Sequence, residues 1–182
     1  MEEYSRRDGL GARILVIGCP GSGKSTFARE LKRSTGLPLI HLDQLFWKPD
    51  GTTVSKEVFL QRLRAAMDQP HWIIDGNYAS TLELRIHACD SVFFLDYPTE
   101  LCLAGVMARR GQARSDLPWV EKRDEAPDKE LLDRIRNFPL EGRPQILSLM
   151  EQYSEKHWVV FRNRQEAEAF LLEQRQGRRP EE

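Results

Sequence analysis

A glycine-rich octapeptide near the amino end contains the residues best suited to chemistry. Residues 18–25 read GCPGSGKS and fit the GxxxxGK[ST] pattern without a mismatch, between an apolar segment and an amphipathic one. Glycines let successive backbone N–H groups point into one concavity, and the start of the following helix adds positive charge. The motif therefore predicts a P-loop that holds the phosphates of a nucleoside triphosphate. The alternative is a glycine-rich turn with an incidental lysine.

Single residues of this loop have separate predicted tasks. Lys24 would place a point charge at the β- and γ-phosphates, and the Ser25 hydroxyl would ligate Mg²⁺. Thr26 would reach the α-phosphate. The other predicted nucleotide-binding residues shape the loop or supply its N–H groups, and they are Gly18, Pro20, Gly21, Ser22 and Gly23. The motif alone does not separate a kinase from a hydrolase or a switch.

Two acidic residues stand at the ends of other apolar runs. Ligands bind at the carboxyl ends of the strands in an open parallel sheet. Asp75, which ends WIID, is therefore predicted to hold Mg²⁺ through water, and the alternative is that it caps the next turn. Asp43, in HLD, is predicted to accept a proton from an attacking hydroxyl or to orient that group. The alternative for Asp43 is an N-cap of the next segment.

The segments that must position these residues alternate in type. Short apolar runs predict five strands, at residues 14–17, 39–42, 72–74, 92–95 and 158–161. Amphipathic runs predict helices at residues 24–33, 58–67 (with Ser55 as N-cap), 99–110, 146–153 and 165–174. Strands that alternate with helices indicate an α/β domain with a parallel sheet.

The chain of 182 residues is long enough for one domain, which we place at residues 13–175. Residues 1–12 and 176–182 are polar and predicted to be flexible. Residues 111–144 break the strand–helix rhythm, because they are crowded with charge and contain four prolines. Composition alone leaves two interpretations of this insertion: a mobile, partly helical lid over the sheet edge, or a solvated connector.

Composition excludes several classes of function. Lys plus Arg is 27 and Asp plus Glu is 28, so no global field attracts nucleic acid or an anionic membrane, and direct DNA binding is not expected. The three cysteines lack CxxC spacing, which argues against a disulfide framework or a zinc site and for a reducing, cytoplasmic location. No apolar run reaches the roughly 18 residues of a membrane span, and the amino end lacks the apolar core of a secretory signal.

Four motifs together point to a family. The P-loop opening, HLDQLFW after the second predicted strand, WIIDGNY at the third and FFLDYP at the fourth resemble the bacterial topology modulation proteins. These FlaR-related proteins are adenylate kinase-like P-loop kinases by sequence, and the resemblance covers residues 13–172. It implies a five-stranded parallel sheet in the order 2-3-1-4-5, ATP and Mg²⁺ as cofactors, and an arginine-bearing lid after the fourth strand.

The resemblance also implies where arginines act. Arg109 matches the adenylate kinase residue expected to contact the ATP phosphates. Arg110 and Arg114 share a face if the helix continues past Gly111, which makes them further lid candidates. The alternative for all three is a solvated helix end. Adenylate kinases usually have an arginine against adenine one turn before Arg109, whereas this chain has Gly105.

The acceptor side departs from adenylate kinases as well. Their Asp-Gly-Phe-Pro-Arg is absent, and Asn77 and Tyr78 follow Asp-Gly instead, so an AMP site is not implied. We expect these two residues to face the acceptor together with Asp43. Arg85 would fork an acceptor anion, or else lie at the surface. Phe46 and Trp47 would wall the acceptor pocket, or else belong to the core.

The leading hypothesis is an ATP- and Mg²⁺-dependent phosphotransferase, a nucleotide or small-molecule kinase with an unidentified acceptor, acting as a monomer or homodimer. The alternative is a nucleotide-dependent regulator that affects DNA topology without such kinase activity. Plain triphosphate hydrolysis that drives motion is a third possibility, but a chain this short lacks partner domains.

Overall fold

A five-stranded parallel sheet forms the centre of the molecule. The computed structural model describes residues 9–111 and 128–176, and every structural statement below concerns these residues. The strands run in the order β2-β3-β1-β4-β5, which confirms the predicted order and fold class. Their bounds are β1 Arg13–Gly18, β2 Leu39–His41, β3 Trp72–Asp75, β4 Ser91–Leu95 and β5 His157–Phe161.

The central strands are mostly apolar and almost wholly buried because helices cover both faces of the sheet. Ile14 and Ile17 in β1 are fully buried, as is Phe93 in β4. Parallel register brings the carboxyl ends of the strands to one edge, where Gly18 pairs with Leu95 and His41 pairs with Asp75. The predicted functional residues therefore meet at one edge of the sheet.

Eight helices connect or cover the strands of the described chain. They are α1 Lys24–Thr35, α2 Leu42–Phe46, α3 Lys56–Met67, α4 Leu82–Ala88, α5 Thr99–Ala108, α6 Lys129–Asn137, α7 Gly142–Gln152 and α8 Arg164–Gln176, with a short 3-10 turn at Ala79–Thr81. The prediction of Ser55 as an N-cap is confirmed, since its side chain accepts a hydrogen bond from the Val58 N–H at 3.3 Å.

An aromatic cluster fixes the P-loop helix to the sheet. Phe27 of α1 lies 5.4 Å from both Phe93 and Phe161, measured between ring centroids. Phe170 of α8 completes the cluster, 5.1 Å from Phe93. Edge-on and tilted aromatic contacts of this kind stabilise a core beyond simple burial. The start of α1, where the phosphates are predicted to bind, is thus held to β4, β5 and α8.

The structure differs from the sequence prediction in three places. Helices α2 and α4 were not predicted, and Leu42 begins α2 rather than ending β2. Helix α5 ends at Ala108 with Arg109 as its C-cap, and Gly111 has a left-handed φ of 73°. The helix therefore does not continue past Gly111 as the pairing of Arg110 with Arg114 would require, and Arg114 itself lies outside the described residues.

Helix α6 and the start of α7 occupy the described part of the predicted insertion, from residue 128 onward. Asp128 caps α6 by accepting a hydrogen bond from the Glu130 N–H at 3.1 Å. Among the described helices, none is long and apolar enough to cross a bilayer.

Candidate active site

A cleft of about 2140 Å³ opens at the carboxyl edge of the sheet. Its walls come from the P-loop, the ends of β2 and β3, the end of α5, helix α6 and the start of α8. Of the predicted site residues, the following line it: Pro20, Gly21, Ser22, Gly23, Lys24, Ser25, Thr26, Asp43, Phe46, Trp47, Asp75, Asn77, Tyr78, Arg109 and Arg110. One cavity thus brings together residues that lie up to about ninety positions apart in the chain.

The P-loop is folded as its sequence predicts. The Ser22 N–H donates to the Cys19 carbonyl at 3.1 Å, and this turn exposes the start of α1. Gly23 is the N-cap of α1 and supplies no side chain to satisfy the first N–H groups of the helix. The first N–H groups of a helix and its dipole make such an end suited to an anion. The loop therefore fits a polyphosphate.

Helix α5 packs directly against the P-loop backbone. Gly21 has a φ of 84°, and a Cβ there would overlap the carbonyl oxygen of Cys102. On the helix side of the same contact, a Cβ on Gly105 would overlap the carbonyl oxygen of Gly21. It would also lie 3.1 Å from an Arg164 guanidinium nitrogen. The absence of an arginine at position 105 therefore has a steric cause, because the helix backbone must approach the loop. Arg164 reaches this part of the cleft from the start of α8.

Lys24 lies near the centre of the site. Its Nζ donates to the Cys19 carbonyl at 2.9 Å. Burial lowers the pKa of Lys24, the negative charges of Asp75 and Asp43 oppose that shift, and Arg109 adds to it. Burial makes the charged form of Lys24 costly, so an anion that binds beside it would stabilise that form strongly.

Asp75 pairs with a histidine that the sequence analysis did not assign to the site. His41 Nδ1 lies 2.7 Å from Asp75 Oδ2, and the two residues are 6% and 4% exposed. They are register partners at the ends of β2 and β3. The parallel pairing of LIH with WIID could have indicated this contact, because both strands end at the same edge.

Magnesium fits the oxygen donors present. Asp75 and Ser25 both line the cleft beside Lys24. A carboxylate and a hydroxyl are ligands that Mg²⁺ prefers, with phosphate oxygens and water in its remaining positions. The described residues include no group of three or more His, Cys, Asp or Glu side chains that could hold a metal ion alone.

Asp43 faces the cleft from helix α2. Its N-cap alternative is wrong, because the N-cap of α2 is His41 and Asp43 is the second helical residue. The Tyr78 hydroxyl donates to Asp43 Oδ1 at 2.7 Å. Burial, and then the Asp43 charge, raise the pKa of Tyr78, so the tyrosine remains a hydrogen-bond donor.

The loop that presents Tyr78 is held from behind by Arg85. This side chain is fully buried, and its guanidinium donates to the carbonyls of Gly76 at 2.8 Å and Tyr78 at 3.1 Å, and also to that of Asn77. Burial lowers the pKa of Arg85 to about 9, which leaves it charged at neutral pH. Its surface alternative is wrong, and the structure places it beneath the loop rather than in the cleft wall.

The two residues after Gly76 show a hydrogen bond and a backbone angle that the sequence did not predict. Asn77 Oδ1 accepts a hydrogen bond from the Gly18 N–H at 2.9 Å, so this side chain ties β3 to the start of the P-loop. Tyr78 has a φ of 33°, in the left-handed region that a bulky residue rarely adopts. Such backbone strain persists only where surrounding contacts enforce it, and the carbonyl contacts of Arg85 do so.

An aromatic cluster forms the wall beside Asp43. The Phe46 ring centroid lies 5.3 Å from Trp47, 5.2 Å from Tyr78 and 5.6 Å from Phe59. Phe59 is buried, whereas Phe46 and Trp47 are half-buried and line the cleft. Phe46 therefore contacts the core on one side and the cavity on the other, and its role at an acceptor stays a prediction.

Helix α6 covers this wall, although no residue of it was predicted to lie in the site. Leu131 and Arg134 line the cleft, and the Arg134 charge slightly opposes the rise in the pKa of Tyr78. The carbonyl of Ile135 lies 4.0 Å from the Cys19 sulfur, which joins α6 to the P-loop. The amphipathic pattern of KELLDRIRN predicts a helix but not its partner.

Comparisons with known proteins identify the family and the fold of the chain. The sequence model of an AAA domain family, AAA_18, matches residues 14–147. An adenylate kinase of Baumannia cicadellinicola subsp. Homalodisca coagulata is 30% identical over 127 residues, which are 68% of this chain but only 56% of that enzyme. The chain thus spans little more than half the length of this curated relative.

Solved structures show the same fold at low identity. A shikimate kinase from Acinetobacter baumannii, in complex with shikimate, is 16% identical, with a TM-score of 0.58 and 89% of each chain covered. A gluconokinase from Sinorhizobium meliloti 1021 is 17% identical, with a TM-score of 0.55, and the match covers 94% of this chain and 93% of that one. The chain therefore belongs to the AAA domain family AAA_18 and has the fold of the adenylate kinase-like P-loop kinases.

Proposed function

We propose that the protein is an ATP- and Mg²⁺-dependent phosphotransferase that transfers the γ-phosphate to a small-molecule acceptor. The observation that supports this most is the convergence of Lys24, Asp43 and Asp75 in one cleft, next to an uncapped helix start. Phosphoryl transfer is catalysed mainly by positioning and by charge placed around the transferring group. The kinase relatives and neighbours support the same class of reaction.

The nucleotide side of this proposal rests on the P-loop. Its N–H groups would hold the phosphates, with Lys24 at the β- and γ-phosphates and Thr26 at the α-phosphate. Ser25 and Asp75 would hold Mg²⁺, which when bound offsets the negative charge of the phosphates. His41 orients the Asp75 carboxylate, and Arg109 would bring further positive charge to the transferring group.

The acceptor side rests on Asp43 and Tyr78. Asp43 would orient the acceptor and take its proton, with the tyrosine fixing one carboxylate oxygen. Phe46 and Trp47 would bound the acceptor pocket. We further propose that residues 111–144 exclude water from the site, which favours transfer over hydrolysis.

Isothermal calorimetry and an ADP-release assay test this function. ATP with Mg²⁺ should bind the wild-type protein, and addition of an acceptor should raise ADP release above the basal rate. Lys24→Ala should lower the rate at least about 100-fold, since it removes the charge at the transferring phosphate. Lys32→Ala is the matched control, because Lys32 is exposed near the other end of α1. Equal ATP affinity and turnover in Lys24→Ala and the wild type would refute the proposal.

The closer resemblance to topology modulation proteins, and with it an effect on DNA topology, stays a prediction. A gel shift with duplex DNA at low salt tests it, because direct binding would be tight, salt-sensitive and changed by ATP.

A further inference from the structure

We propose that the acceptor is an alcohol, a hydroxylated ring compound, so that the protein forms a phosphate ester and not a phosphoanhydride. This inference rests on the proposed phosphotransferase function and names its substrate class. It follows from the charges, the hydrogen bonds and the aromatic wall of the acceptor side.

The first observation is the pair formed by Asp43 and Tyr78. An alcohol keeps its proton at neutral pH and needs a base when it attacks, whereas a phosphate monoester, with a second pKa of about 6, has largely lost its proton. A carboxylate held at 2.7 Å by a tyrosine hydroxyl is therefore useful to an alcohol and of no use to a phosphate nucleophile. The tyrosine is itself fixed by the buried contacts of Arg85.

The second observation is the balance of charge on this side of the cleft. Helix α7 begins beside the turn after Tyr78, because Gln145 Nε2 donates to the Ala79 carbonyl at 3.4 Å. Glu130 and Glu141 also line the cleft, and both are exposed. With Asp43 they add negative charge to the cleft, which disfavours the dianion of a phosphate monoester.

Three arginines near the acceptor side already have other contacts. Arg85 is turned away, since its guanidinium donates to backbone carbonyls beneath the loop. Arg134 lines the cleft but lies 4.0 Å from Glu130, its helical neighbour. Arg109 lies close enough to Lys24 to lower its pKa, which places it at the nucleotide side. A phosphate acceptor usually requires forked arginines, and the contacts of these three do not form such a pair beside Asp43, although Arg110 also lines the described cleft.

The third observation is the aromatic wall. Phe46 and Trp47 are half-buried and meet edge to face, which gives a rigid apolar surface next to Asp43. Pockets of this kind bind the body of a ring, while one or two polar groups fix its orientation. A hydroxyl on that ring would then point to Asp43.

The proposed reaction moves the γ-phosphate of ATP to the hydroxyl oxygen of the acceptor. The acceptor oxygen forms a bond to the γ-phosphorus of ATP, and the bond from that phosphorus to the β,γ-bridging oxygen breaks. The hydroxyl proton goes to the Asp43 carboxylate, and ADP leaves. No oxidant, reductant or further reactant is needed.

Matched pairs of acceptors test the inference. Nucleosides and myo-inositol would each be offered beside their own phosphate monoesters, with γ-labelled ATP and Mg²⁺, and shikimate would be offered as a further ring alcohol. Products would be identified by ³¹P NMR, which separates esters from anhydrides. We expect ester formation from at least one alcohol, at a rate about 100-fold above that for its monoester. Anhydride formed from a monoester at the faster rate overturns the inference but leaves the phosphotransferase function intact.

The variant Asp43→Asn, which removes the negative charge, tests the inference even if none of these acceptors reacts. Asp43→Asn should lower transfer to an alcohol, or basal hydrolysis with water as the hydroxyl nucleophile, about 100-fold or more. ATP affinity should stay within about threefold of wild type, because Asp43 is assigned to the acceptor side. Asp68→Asn, on the exposed end of α3, is the matched control and should change neither value.

Two further outcomes separate failure of the alcohol inference from failure of the phosphotransferase function. An unchanged or faster rate in Asp43→Asn refutes an alcohol acceptor, since loss of a negative charge would only help a phosphate nucleophile. No loss of γ-phosphate from ATP in the wild-type protein under any condition refutes the phosphotransferase function itself.

Discussion

The nucleotide side of the cleft is made from one short stretch of chain, whereas the acceptor side is assembled from side chains far apart in sequence. Residues 18–25 form the whole P-loop, and hydrogen bonds within a few residues set its turn, although Asn77 and α5 also contact it. The Tyr78–Asp43 hydrogen bond joins residues 35 positions apart, and α6 reaches the same wall from beyond residue 128. Local geometry therefore defines the first region, and tertiary packing defines the second.

This difference predicts how the two regions respond to substitution. The P-loop should be sensitive to backbone changes and should lose nucleotide binding directly. The acceptor side should be sensitive to loss of buried polar contacts, and it should lose acceptor turnover while ATP still binds.

Arg85→Ala is expected to have the largest effect. It leaves several backbone carbonyls buried without their donor and opens a cavity, so the free energy of unfolding should fall by about 3–5 kcal/mol. Urea denaturation would measure this, with Arg64→Ala on the exposed face of α3 as the control. If both variants lose less than about 1 kcal/mol, Arg85 does not support the acceptor loop.

Gly21→Ala should come next, and it acts on the nucleotide side. The new Cβ would overlap the Cys102 carbonyl at a φ of 84°, so we expect a loss of about 3 kcal/mol in stability and no measurable ATP binding. Gly51→Ala is a matched control, because Gly51 has a φ of 78° but nothing within 4 Å of a Cβ. It should cost about 1 kcal/mol and leave ATP affinity unchanged.

Equal losses in the two glycine variants would show that backbone conformation alone matters. The close approach of α5 to the P-loop would then have no role in nucleotide binding.

Tyr78→Phe should have a smaller effect, and one that is confined to the acceptor side of the cleft. It removes only the hydroxyl that donates to Asp43 and keeps the ring in contact with Phe46. We expect kcat for the acceptor to fall about tenfold, with the dissociation constant of ATP unchanged in calorimetry. A weaker ATP affinity with an unchanged kcat would instead assign Tyr78 to the nucleotide side.

Ser55→Ala should have the smallest effect and should leave both regions intact. Loss of this N-cap should destabilise the protein by about 1 kcal/mol in thermal or urea unfolding. ATP binding and transfer should stay at wild-type values. A drop in transfer would mean that α3 supports the acceptor wall through Phe59 more directly than we infer.

The same difference explains how much the sequence predicted. The five strands, the turn of the P-loop and the Ser55 cap depend on local patterns, and each is confirmed. The order of the strands is also confirmed, but it was implied by the family resemblance rather than by any local pattern. Arg85 depends on a loop that folds over it, so its sequence neighbourhood did not distinguish a surface residue from a buried one. His41 could have been predicted from the sequence, because two parallel strands that end in LIH and WIID bring it beside Asp75.

The mutual contact of Gly21 and Gly105 has a mechanical consequence. Backbone meets backbone at this point, with no side chain between them that could change rotamer and absorb a shift. Helix α5 ends about one turn later, at Ala108, and its C-cap Arg109 lies beside the predicted path of the phosphates. We therefore expect a tilt of this helix to move the P-loop with it, which would couple nucleotide binding to the position of Arg109.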